Sequence, residues 1–212
     1  MSEERPRSRF LFRGGHPSLD FVNTVSTRDG DLVDRLVGFD DLLTWLVEAD
    51  LLDARKAAEA KRRWAESETA TRVVAEARAL RAAVRELADS LTSTREASAE
   101  SLVTLNRCLQ QRVGYPQVVR VAGRYQRRIQ AEYAEGVQLL GPVAEAALAL
   151  LVDLAPTLVK RCGNPACVLF FYDTTKNHRR RWCSMATCGN RSKAAAHRQR
   201  RSQRPRDVAH AP

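Results

Sequence analysis

The sequence predicts a mainly α protein: a helical N-terminal domain with a small β-hairpin insertion, then a small C-terminal four-cysteine module ending in a basic helix. Three observations predict it. Apolar residues recur at intervals of three and four through most of the first 155 or so positions, as they do in helices with one buried face. That period breaks around "YPQVVRVAGRYQRRIQAEY". Four cysteines, Cys162, Cys167, Cys183 and Cys188, cluster late in the chain among arginines. A length of 212 residues suits one compact domain plus a small module. The expected units are 10–155 and 158–204.

The elements follow in order. Residues 1 to 13 are polar and basic, and frayed ends have that composition. In "GGHPSLDFVNTV" two glycines and a proline mark a turn, and Ser18 is placed to cap a short helix carrying Leu19, Phe21, Val22 and Val25. "RDGDLVDRL" reads as a loop. "DDLLTWLVEADLL" spaces Leu42, Leu43, Trp45, Leu46 and Leu52 as a helical apolar face. Asp53 can cap the next helix and Ser67 a long one. In the long helix Val73, Ala77, Leu80, Val84, Leu87 and Leu91 form one stripe. Another helix is expected from Ala97 to Arg112. β-Branched residues on either side of "AGR" predict the hairpin. "LLGPVAEAALALLVDLAPTLV" is apolar almost all round, so it belongs at the centre of the bundle, with Pro156 ending or kinking it. Cys108 falls on an apolar helix face and reads as a small buried residue.

Charge divides the chain. The net charge is +10, yet Lys160 to Arg206 holds 13 bases and one acid, Asp173. The remainder is close to neutral. A cationic tail on an ordinary domain is the electrostatic footprint of a nucleic-acid partner, although a solvated tail has the same composition. No apolar run reaches transmembrane length, and the start lacks a signal-peptide core, so the expected location is cytoplasmic. Thiols stay reduced there, which weakens a disulfide reading.

The cysteine spacing is C-x4-C, fifteen residues, C-x4-C. Zinc takes four tetrahedral ligands, and two short-spaced pairs deliver two thiolates each from a turn. Gly163, Asn164 and Pro165 in the first pair, and Gly189 and Asn190 after the second, are turn formers. One structural Zn²⁺ on Cys162, Cys167, Cys183 and Cys188 is the reading this favours. A redox dithiol is the first alternative. A catalytic metal, with His178 and Asp173 in the intervening loop, is the second. A module this small cannot bury enough apolar surface alone. Val168, Leu169, Phe170, Phe171, Tyr172 and Trp182 are expected to form a small core beside the metal. Arg161, Arg181 and Arg191 are expected to offset the thiolate charge and donate to sulfur. Read as an independent module, it should unfold on Cys183→Ala and leave the helical domain intact.

The stretch "RCGNPACVLFFYDTTKNHRRRWCSMATCGNRSKAAAHRQR" resembles the CGNR zinc finger, through Cys188, Gly189, Asn190 and Arg191. "LDFVNTV" and "DDLLTWL" look like the ABATE domain that precedes this finger in bacterial proteins. The resemblance implies a stress-linked transcriptional regulator, the same four zinc ligands, and DNA binding through basic residues. Lys176 stands at the family's usual basic position in the central loop, and Thr175 where serine is frequent.

Beyond Cys188 no breaker occurs until Pro205, so a helix is expected to about Gln203. Lys193, His197, Arg200 and Arg204 share one stripe of it, and Arg191 and Arg198 a neighbouring one. With Arg201 and the loop residues Lys176, Arg179, Arg180 and Arg181, they make up the candidate nucleic-acid surface, double-stranded DNA being the first partner. The alternative is an RNA-binding or ribosome-associated zinc protein. His16, Asp20, Asn23 and Thr24 form a polar cluster that can line a ligand pocket, for a small-molecule effector or an enzyme. Turn and cap chemistry is their simpler role. No nucleophile–base pair or phosphate-cradling loop supports catalysis, so no enzyme is expected. A homodimer through the helical domain would suit paired half-sites.

Overall fold

The computed structural model describes residues 8–202. Its order is α1 (Pro17–Val22), β1 (Val25–Arg28), β2 (Asp31–Asp34), α2 (Phe39–Glu48), α3 (Ala54–Trp64), α4 (Glu68–Thr92), α5 (Ala99–Gln110), β3 (Tyr115–Val121), β4 (Arg124–Gln130), α6 (Gly141–Val152), β5 (Val159–Arg161), β6 (Phe170–Tyr172) and α7 (Asn190–Ser202). The strands pair as three antiparallel hairpins, β1–β2, β3–β4 and β5–β6. The mainly helical expectation holds. Among the described residues, no helix is long and apolar enough to cross a membrane.

The 25-residue α4 is the spine, and α1, α2, α3, α5 and β5 all pack on it. Its buried residues Val73, Ala77, Leu80, Val84 and Leu87 are the predicted stripe, with Leu91 half-buried beside them. α1 lies across α4 and α6, with Leu19, Phe21 and Val22 fully buried. Phe21 tilts against Trp45 of α2 at 4.9 Å between ring centres. Asp53 caps α3 by accepting from the backbone N–H of Arg55. Ser67 precedes α4 without capping it, because its hydroxyl donates back to the carbonyl of Trp64.

Five more expectations change. The loop "RDGDLVDRL" contributes to the β1–β2 hairpin, closed by Asp29 and Gly30 at φ 53° and 102°. An Asp-Gly pair suits such a turn because both positions need positive φ. Ser18 lies inside α1; His16 is the residue before the helix, Pro17 opens it, and Val25 starts β1. Residues 8–13 are anchored, with Phe10 buried and Leu11 packed beside the cysteines, while residues 1–7 lie outside the described residues. α6 buries Val143, Ala144, Ala147 and Leu150 but exposes Leu148 and Val152, so it lies at the side of the bundle. It ends at Val152, before Pro156. Finally, Phe170 leaves the finger's own core. Successive strand residues face opposite ways. Phe170 of β6 enters the helical core, and Phe171 packs with the cysteines. One three-residue strand therefore belongs to both cores.

Candidate metal centre and basic surface

The four cysteines come from two turns held against each other. The backbone N–H of Gly163 donates to the carbonyl of Arg181 at 2.8 Å, so the turns touch main chain to main chain. A β-carbon at Gly163 would lie 3.0 Å from that carbonyl oxygen, which explains the glycine. The ligand atoms of Cys162, Cys167, Cys183 and Cys188 all lie within 4.8 Å of one another. Cys167 Sγ is 3.8 Å from Cys183 Sγ, and Cys183 Sγ is 3.6 Å from Cys188 Sγ. Sulfurs placed tetrahedrally about 2.3 Å from zinc would be about 3.8 Å apart. A disulfide needs about 2.05 Å, and all five cysteines are free thiols.

The donor set fits one structural Zn²⁺. Cys162, Cys183 and Cys188 are buried and Cys167 is half-buried, so the four sulfurs can fill the coordination sphere. Backbone N–H groups donate to the sulfurs: Cys183 to Cys162 Sγ at 3.4 Å, Asn164 to Cys162, and Leu169 to Cys167. Such donors stabilise thiolate charge. This corrects the expectation that Arg161 and Arg181 donate to sulfur. Arg161 instead pairs with Asp89 at 3.1 Å and covers the Phe170 ring, and Arg181 covers Trp182. Hydrogen bonding with the Cys183 thiol lowers Cys167 to about 5, while the same contact pushes Cys183 well up. Burial raises Cys162. A metal must displace the protons that remain, so binding releases them.

The loop between the pairs is built around Asp173, which is fully buried. Its carboxylate accepts from Lys160 Nζ at 2.6 Å, from the N–H and hydroxyl of Thr175, and from the N–H of Arg180 at 2.9 Å. Burial pushes this carboxyl up, but those four donors together hold it well below the usual carboxylate range. Asp173 is thus a loop organiser, and sequence spacing had offered it only as an alternative ligand. A folded-state pKa below the unfolded one stabilises the fold above the ordinary Asp value, near 3.9. That contribution fades as pH falls from there towards the folded value. Asp173→Asn should therefore cost about 2–4 kcal/mol at neutral pH, read by urea unfolding of the zinc-loaded chain. The deficit should shrink below about pH 4. A variant as stable as the parent at neutral pH would contradict this role.

The finger is clamped to the helical domain. Asn23, fully buried, donates from Nδ2 to the Phe170 carbonyl at 2.8 Å and accepts the Phe170 N–H on Oδ1 at 3.0 Å. It extends the β6 edge as a neighbouring strand would. Arg85 of α4 donates to the carbonyls of Val22 and Val168 and covers the Phe170 ring. Gly14 accepts the Tyr172 N–H at 2.7 Å. Arg13 donates to Thr187 Oγ1 at 3.0 Å, beside Cys188. These clamp residues were missed, apart from Asn23. Position could have flagged a relative: Arg81 falls on the apolar stripe of α4, buried, and holds Asp34 through both nitrogens at 2.7 and 2.6 Å.

The polar cluster is placed residue by residue. Thr24 Oγ1 donates to the Phe21 carbonyl and accepts from Arg81. Asp20 accepts the Gly14 N–H at 2.6 Å, and burial raises its carboxyl to about 6. His16 Nδ1 lies 2.9 Å from Ser18 Oγ, and burial lowers the ring. Neither the open cleft between the end of α4 and β5 nor the one around Lys61–Ser67 is lined by any of the four.

Of the candidate nucleic-acid residues, Lys176, Arg179, Arg181, Arg191, Lys193 and Arg198 are exposed. Arg180 is half-buried and donates to the carbonyls of Arg13, Trp182 and Cys183, with its guanidinium 4.3 Å over Phe171. Arg200 and Arg201 fall on the last turn of α7. Arg204 lies outside the described residues. α7 grows directly from the turn Met185–Gly189 that carries Cys188, and Asn190 Nδ2 ties it back to the Ala186 carbonyl.

Fold and site together define a helical-domain protein with a C-terminal four-cysteine zinc finger. Residues 15–154 match the ABATE family model, described as "Putative stress-induced transcription regulator", and residues 159–201 match the CGNR zinc finger. The chain belongs to the ABATE family and carries a CGNR finger. A search of the curated proteins found no match.

Proposed function

We propose that the chain is a zinc-dependent DNA-binding transcriptional regulator, in which the metal fixes a cationic helix and the helical domain senses or dimerises. The observation that carries this reading is α7. Its main packing is against the turn behind it, and Arg191, Lys193 and Arg198 are exposed along it. A helix about 10–12 Å across suits the major groove, about 12 Å wide. The zinc turn at its root sets its direction. Lys176, Arg179 and Arg181 add a second basic patch beside it, suited to phosphates. Between that patch and the end of α4 lies an open cleft of about 800 Å³, also lined by Lys160 and Arg161. The family description, a transcription regulator, points the same way.

Duplex affinity should fall steeply with salt, because each phosphate contact releases counterions. Arg191→Gln with Lys193→Gln and Arg198→Gln should weaken binding and flatten the log–log salt slope by up to about 2.7, at ~0.9 per contact. Anisotropy titrations against duplex DNA and structured RNA measure both. Affinity flat with salt, or tighter binding to the RNA, would contradict the proposal.

A further inference from the structure

Residues 114–130 contain four arginines and no acid, in a domain whose other residues hold more acids than bases. They form the β3–β4 ribbon, seven residues per strand, or about 23 Å long. Its tip is closed by Ala122 and Gly123, both at positive φ. Its root is fixed. Ala131 is buried, Lys56 donates to its carbonyl, and Arg63 donates to the Tyr133 carbonyl at 3.1 Å.

Beyond the root neither face is covered. Val118 and Tyr125 are each 77% exposed, so no core holds the ribbon. A two-stranded hairpin of this kind is only marginally stable by itself. Opposed residues share a face. Arg120 with Tyr125 and Val118 with Arg127 lie on one side, and Val121 with Arg124 and Gln117 with Arg128 on the other. Each side thus carries two arginines. None of the four is in a salt bridge among the described residues.

We propose that this ribbon is a second duplex-DNA contact, an arm that enters a groove with arginines on both faces toward the two phosphate walls. This rests on the duplex reading above. A ribbon meeting a flat anionic surface needs charge on one face, whereas a groove presents phosphates on both sides. The major groove is wide enough for a two-stranded ribbon. A second copy of the ribbon is a poor partner, because like charges would be brought together. Six residues past the ribbon, Gly136 packs against Thr69 and Val73 in the first turns of α4. The finger meets α4 near Arg85 and Asp89. From Val73 to Asp89 is about 24 Å along the helix axis. Two cationic elements on one rigid spine raise each other's effective concentration on a single duplex.

The test uses the full zinc-loaded chain and a mixed-sequence duplex of about 30 base pairs, roughly three helical turns. A variant with Arg120, Arg124, Arg127 and Arg128 all changed to Gln is compared with one in which they are Lys. The Gln variant should bind about tenfold or more weakly at moderate salt, with a slope shallower by up to about 3.6. The Lys variant should keep most of the slope. Hydrogen exchange across Tyr115–Gln130 should slow when duplex is added to the parent chain. Unchanged affinity and slope in the Gln variant, with duplex binding intact in the parent, would overturn the ribbon's role and leave the duplex reading standing. A parent chain that binds no duplex would overturn both. A Gln variant altered only in oligomeric state or RNA binding would also overturn the proposal.

Discussion

Cys183→Ala is expected to release the metal and to weaken the helical domain as well as the finger. Cys183 is the hub of the site: its sulfur lies beside those of Cys167 and Cys188, and its N–H donates to Cys162. Structural zinc contributes on the order of 10–16 kcal/mol to the folding of such modules. The β5–β6 hairpin would lose the turns that hold it. Val159 and Phe170, both in the helical core, would then be free to leave. Each contributes about 1.5–3 kcal/mol by burial. At about 2–4 °C per kcal/mol for a chain of this size, the helical melt should drop by about 6–24 °C. Metal content and a circular-dichroism melt read the two effects together. Lost zinc with an unchanged helical melt would mean that the two units are independent, as the sequence alone suggests.

Asn23→Ala is the second large effect. The substitution removes both partners of the Phe170 backbone in a buried place. A buried backbone group left unpaired costs about 1–3 kcal/mol, so the sum is about 2–6 kcal/mol. The Phe170 amide should also lose most of its hydrogen-exchange protection, while the zinc stays bound. A loss below about 0.5 kcal/mol, within the usual range for a surface change, would remove Asn23 from the clamp. Asn23→Asp should be no better tolerated, since it keeps the acceptor, deletes the donor and buries a charge.

What was legible follows from range. The α4 stripe is local and periodic, and the four thiols declare themselves by spacing, so both could be read directly. The β3–β4 hairpin showed through its β-branched residues and the glycine at its tip. β1–β2 did not, because its strands are four residues long and carry three aspartates within and between them. Their anchor is Arg81, which pairs with Asp34 from another element. Asn23 stood out as polar among apolar neighbours and was grouped with pocket candidates. Its partner, Phe170, lies 147 residues away, beyond any pattern in one sequence. The basic run at 179–181 looked uniform. Only three-dimensional contacts separate Arg180, wrapped around three carbonyls, from its exposed neighbours Arg179 and Arg181. The same alternation along "FFY" that sends Phe170 and Phe171 to different cores was visible as a strand pattern, but not its two destinations.

Four sulfurs arranged for one ion are the joint between the helical domain and the basic helix. Elemental analysis of the reduced, purified chain measures that directly. One zinc per chain, retained through dialysis and absent from the Cys183→Ala variant, is the predicted result. A chain without metal whose Cys162, Cys167, Cys183 and Cys188 all react freely with a thiol reagent, while its fold stays intact, would contradict it.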